Sequence, residues 1–132
     1  MTFCSCEKEQ KNEKESEKDT LNQSSIVISS NIKSANWIKD TFGCLKLRSL
    51  EIAQDLIIEN ELLNKSKEKF LLIFGEPNEK IISEGRLIFN YYINSYCDSA
   101  NKPILNSDKS WIDFYFDSTG RLKEIPQTIG IE

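Results

Sequence analysis

The sequence predicts an α+β domain in which two helices pack on one face of a three- to four-stranded antiparallel sheet. Three observations predict it. Apolar residues recur at helical spacing between positions 50 and 74, the period falls to two beyond Pro77, and cap or turn residues punctuate the changes. The chain has 132 residues, 39% hydrophobic and 29% charged, which fits one globular domain.

The first candidate element is Ile26-Val27-Ile28, a β-prone run flanked by serines, too short to stand alone but able to add to a sheet edge. Ala35 to Leu45 forms a short amphipathic piece carrying Trp37, Ile38 and Phe42 and broken at Gly43. A clearer helix follows Arg48. Ser49 is its expected N-cap, and Glu51 lies in the first turn, where the helix dipole favours a carboxylate. Leu50, Ala53, Leu56 and Ile57, widened by Ile52, form its apolar stripe, and Asn64 is expected to end it in the left-handed conformation. Ser66 caps the second helix, Lys67 to Phe74, which turns Phe70, Ile73 and Phe74 inward; Gly75 and then Pro77 stop it.

Strands come next. Glu79 to Ser83 precedes a turn at Ser83-Glu84-Gly85, and Arg86 to Asn94 then puts Leu87, Phe89, Tyr91 and Ile93 on the core face. Ser110 to Asp117 places Ile112, Phe114 and Phe116 inward and Trp111, Asp113, Tyr115 and Asp117 outward. Asp117-Ser118-Thr119-Gly120 has Asp first and Gly fourth, the signature of a type I turn. Arg121 to Ile125 is the expected last strand, closed by Pro126.

Charge and composition narrow the function. A net charge of −4 with lysines scattered among glutamates supplies no basic patch for phosphates, so no nucleic acid is expected. The chain has no His, which removes the commonest general base, metal ligand and triad member. Neither an enzyme, nor a cofactor, nor a metal site is expected. Asp113 and Asp117 are spaced to share a strand face, but alternate outward carboxylates serve solubility far more often than acid–base chemistry.

The amino end is distinctive. "TFCSCEKEQK", residues 2–11, sets Cys4 and Cys6 beside a charged run, and Glu7 to Thr20 contains no apolar residue. Such a stretch buries nothing to offset the entropy of ordering it. A metal-binding pair fails because the run supplies no further Cys or His. Two readings stay open: incidental thiols, or the end of a lipoprotein signal peptide. Phe3, Ser5 and Cys6 resemble the bacterial lipobox, with an apolar residue three places and a small residue one place before the acylated Cys6; Cys4 fits poorly as acceptor because Phe3 would take the small-residue site. Residues 1–6 are then the end of a signal peptide, 7–24 a disordered charged linker and 25–132 the folded domain. Only Met1 to Ser5 precede Cys6, so this reading expects an apolar segment upstream; a start at Met1 would instead imply a soluble cytosolic protein. Acyl chains contribute about 0.8 kcal/mol per buried CH₂.

"LLNKSKEKFLLIFGEPNE" and "IDFYFDSTGRLKEI" together resemble the SmpA/OmlA (BamE-like) outer-membrane lipoprotein domain. Ser66, Gly75, Pro77, Asp117, Gly120, Arg121 and Leu122 match its pattern of helix cap, Gly-x-Pro and Asp-x-x-Gly-Arg-apolar, across Leu47 to Ile125; Asn64 stands where the family usually has Gly. The resemblance implies a domain hung from the outer membrane of a Gram-negative bacterium, facing the periplasm or the cell surface and contacting other envelope proteins, with the membrane held through acylated Cys6. The runner-up is a soluble protein-binding inhibitor or adaptor. In an exported chain Cys44 and Cys97 are expected to pair, the alternative being two buried thiols. Outward Tyr92, Trp111 and Tyr115 are the candidate partner-binding residues, unless the Ile26–Ile28 run or the long Ser95–Lys109 loop covers them.

Overall fold

Aromatic side chains at helical spacing meet aromatic side chains at strand spacing, and the fold is organised around that meeting. The computed structural model describes residues 30–131. Among these residues three helices pack against a four-stranded antiparallel sheet, one helix more than the sequence predicts. Residues 30–39 form helix α1, followed by α2 (Leu50–Glu59) and α3 (Lys67–Phe74). Strands β1 (Glu79–Ser83), β2 (Arg86–Ser95), β3 (Lys109–Phe116) and β4 (Gly130–Ile131) lie in sequence order across the sheet. The Ile26–Ile28 run, Cys4, Cys6 and the charged stretch 7–24 lie outside the described residues.

Phe70 and Phe74, one helical turn apart in α3, stack at 4.2 Å and press into the sheet face made by Phe89, Tyr91, Phe114 and Phe116. Trp37 of α1 closes this cluster edge-on to Phe74 at 5.1 Å. Each such pair adds about 0.5–1.5 kcal/mol beyond its area. From α2, Ala53, Leu56 and Ile57 complete the core while Leu50 and Ile52 pack at its margin. The piece expected over Ala35–Leu45 therefore begins earlier and stops at residue 39. Its Trp37 is fully buried, while Ile38 and Phe42 are exposed.

Both expected N-caps form. The Ser49 hydroxyl accepts from the Ile52 N–H, and that of Ser66 from the Lys69 N–H. The end of α2 differs from expectation. Glu61, at φ 51°, is the left-handed residue, its N–H donating to the Ile58 carbonyl and that of Leu62 to the Ile57 carbonyl. This is the double bond of a Schellman cap. It folds Leu62 back into the core beside Ile57. Asn64 is also left-handed, at φ 70°, but serves the connection to α3.

The expected strand over Arg121–Ile125 is replaced by isolated bridges, Phe116 to Leu122 and Ser66 to Arg121. The α2–α3 connection takes up this backbone. The Asn64 N–H donates to the Leu122 carbonyl, the Leu122 N–H to that of Lys65, and the Lys67 N–H to that of Gly120. Beyond Lys123 the chain leaves β3, Pro126 is buried with its carbonyl bonded by Gln54, and β4 forms only at Gly130–Ile131.

Candidate functional site

The turn at Asp117 fixes the far end of β3. Its Oδ1 accepts from the Thr119 hydroxyl and from the N–H groups of Thr119 and Arg121, and the Gly120 N–H donates to its carbonyl. These bonds, that of the Thr119 hydroxyl first, hold its carboxyl below the ordinary value of 3.8. Asp113 instead accepts from the Asn90 amide at 2.8 Å across the β2–β3 pair. Both carboxylates thus have local structural roles. No cluster of metal-ligating side chains occurs among the described residues, and none of their helices is long and apolar enough to cross a membrane.

On the outer sheet face, Tyr92 lies directly opposite Trp111, whereas Tyr115 sits opposite Ile88. The Asn90–Asp113 pair separates the two sites, so the three aromatics do not form one continuous patch. All three are half-buried. The Tyr92 hydroxyl donates to Glu79 at 3.4 Å, and the Lys109 ammonium stands 4.8 Å from the centre of its ring. Trp111 lies so close over Gly130 that a Cβ there would come within 2.2 Å of the indole. Edge strand β4 and the end of the long loop thus cover part of what an outward pattern alone leaves bare.

Cys44 and Cys97 are disulfide-bonded, with their Cα atoms 5.8 Å apart. The bond ties the 40–48 loop to the long loop after β2. Backbone contacts reinforce it, the Ser95 N–H donating to the Gly43 carbonyl and the Ser95 hydroxyl to that of Phe42. At Gly43, φ is +74° and a Cβ would lie 2.8 Å from the Asn94 nitrogen, so only glycine allows this close approach. The long loop is itself a small hairpin. Cys97 bridges to Pro103, and the Asp98 carboxylate accepts from the N–H groups of Ala100 and Lys102.

Sequence reasoning missed the polar clamp beneath this end. Arg48 is buried, its Nε donating to the Trp37 carbonyl at 2.8 Å and its Nη1 to the Tyr92 carbonyl at 3.0 Å and to Asn78 Oδ1 at 3.3 Å. The guanidinium also faces the rings of Trp37 and Tyr91. Burial lowers its pKa to about 10, with the charge of Asp40 opposing that fall. Asp40, also buried, accepts from the N–H groups of Leu45 and Leu47. An Arg and an Asp eight positions apart carry no motif; only their burial makes them a clamp.

No family model, curated protein or solved structure matches the chain.

Proposed function

We propose that this chain is a lipid-anchored interaction domain of a Gram-negative envelope, resembling outer-membrane protein assembly lipoproteins. In this reading acyl chains on Cys6 hold it to the outer membrane, the charged stretch 7–24 sets its reach, and it acts by contacting other envelope proteins on the periplasmic or surface side. It has no catalytic step. The Cys44–Cys97 bond carries the reading, because disulfides persist where thiols are not kept reduced. The lipobox-like Phe3, Ser5 and Cys6, and the charged run that follows them, agree with it. Polar and aromatic groups at the disulfide end, Tyr92 and Trp111 among them, favour a contact surface over a reaction centre.

Membrane fractionation of cells expressing the Cys6→Ser variant tests the proposal. The variant is expected in the soluble fraction with an unchanged melting temperature. Retention in the membrane fraction would contradict the tether.

A further inference from the structure

The disulfide end of the sheet contains a cleft of about 530 Å³. Its floor is the end of β2 and the start of β3, one wall is Lys46, and the other is the edge strand β4 with Ile129 and Ile131. Two features of this cleft suit it to a partner of matching chemistry. The first is apolar: Ile131 is 75% exposed and Tyr96 65%, and both lie on its rim. The second is charge. The Lys46 ammonium is held by neutral acceptors, Asn94 Oδ1 and the Ser95 carbonyl, and the Lys109 ammonium lies over the Tyr92 ring. Neither is ion-paired among the described residues. Among the described residues Asp108 is the one carboxylate lining the cleft, against Lys46 and Lys109, so within a chain of net charge −4 these residues make the hollow locally positive.

From these observations we infer that the cleft binds an extended segment of a partner protein in which acidic and apolar side chains alternate. Successive side chains of an extended strand point to opposite sides. A segment lying along β4 would turn carboxylates toward Lys46 and Lys109 and apolar groups toward Ile129, Ile131 and Tyr96. Charge complementarity would set the orientation and speed of encounter, and the apolar rim would supply most of the desolvation energy. The inference deepens the interaction-domain reading and is independent of the lipid anchor.

The test uses the full chain in solution, with acetyl-Glu-Ile-Glu-Ile-Glu-amide as probe, its Lys-for-Glu counterpart, and vesicles of phosphatidylethanolamine and phosphatidylglycerol. Amide chemical shifts are followed by NMR. The acidic probe is expected to move the amides of Lys46, Asn94, Tyr96, Ser110 and Ile131, and to bind about tenfold or more weakly to the folded Lys46→Glu, Lys109→Glu double variant. Equal binding of the basic probe, or no shift at these residues, would overturn the inference. Shifts of the same residues by vesicles without a response to the peptide would assign the surface to lipid and overturn it as well. So would the same shifts on raising protein concentration alone, which would give the cleft to a second copy. Because the assay contains no acylated protein, it fails or succeeds separately from the Cys6 fractionation.

Discussion

Replacing Cys44 and Cys97 together by Ser should remove a large fraction of the domain's stability while leaving its folded structure in place. The two residues are 53 positions apart. In the chain-entropy treatment, a closed loop of that length restricts the unfolded ensemble by about 4 kcal/mol. A single domain has only about 5–15 kcal/mol in total, and each kcal/mol corresponds to about 4–8 °C for 60–100 residues. The expected fall in melting temperature is therefore roughly 16–32 °C. Local contacts survive the substitution, since Ser95 remains bonded to the carbonyls of Gly43 and Phe42 and Arg48 still ties the loop to β2. The native circular dichroism should accordingly be retained. Urea unfolding of wild type and variant gives the free energy, and the variant's m value should rise because its unfolded chain, no longer cross-linked, exposes more surface. A loss below about 1 kcal/mol at unchanged m would refute the reasoning, showing that the bond does not constrain the unfolded chain as supposed.

Arg48→Ala would leave the Trp37 and Tyr92 carbonyls without their donor beneath the sheet end. Urea unfolding should record a cost of about 3 kcal/mol or more. Gly75 sits at φ +72°, and a Cβ there would lie 3.0 Å from Ile38 Cγ1. Gly75→Val should therefore destabilise by more than about 1 kcal/mol in thermal unfolding. The Asp117 carboxyl titrates below its ordinary value of 3.8 in the folded state, so its contribution is fully present above that pH and is lost as pH falls through the lower folded value. Melting temperature measured across this acid range should fall more steeply in wild type than in Asp117→Asn.

Elements whose boundaries are set by their own residues were legible in the sequence. Lys67–Phe74 is bounded by Ser66 and Gly75, the hairpin of β1 and β2 turns at Glu84-Gly85, and the alternation in β2 and β3 identifies the core face. Boundaries set by distant partners were not. Asn64 is the better left-handed residue by propensity, yet the cap of α2 turns at Glu61 because burying Leu62 beside Ile57 outweighs the strain of a non-glycine there. Arg121–Ile125 has strand-like residues, but the α2–α3 connection uses the backbone at Gly120 and Leu122. The pairing of Cys44 with Cys97 and the outward placement of Tyr92, Trp111 and Tyr115 were legible. The split of that set by Asn90–Asp113, and the cover supplied by β4, depend on cross-strand register, which no local pattern encodes. Arg48 and Asp40 were missed for a related reason. Charged residues are rarely buried, and only the tertiary arrangement supplies the acceptors and donors that permit it.

Intact-mass measurement of the protein purified from its native host tests the central claim most directly. The account predicts fatty-acyl mass localised to Cys6 and a mass two hydrogens lower than the reduced chain, mapped to Cys44–Cys97. A Cys6 free of lipid in protein recovered from the cytosol would contradict it.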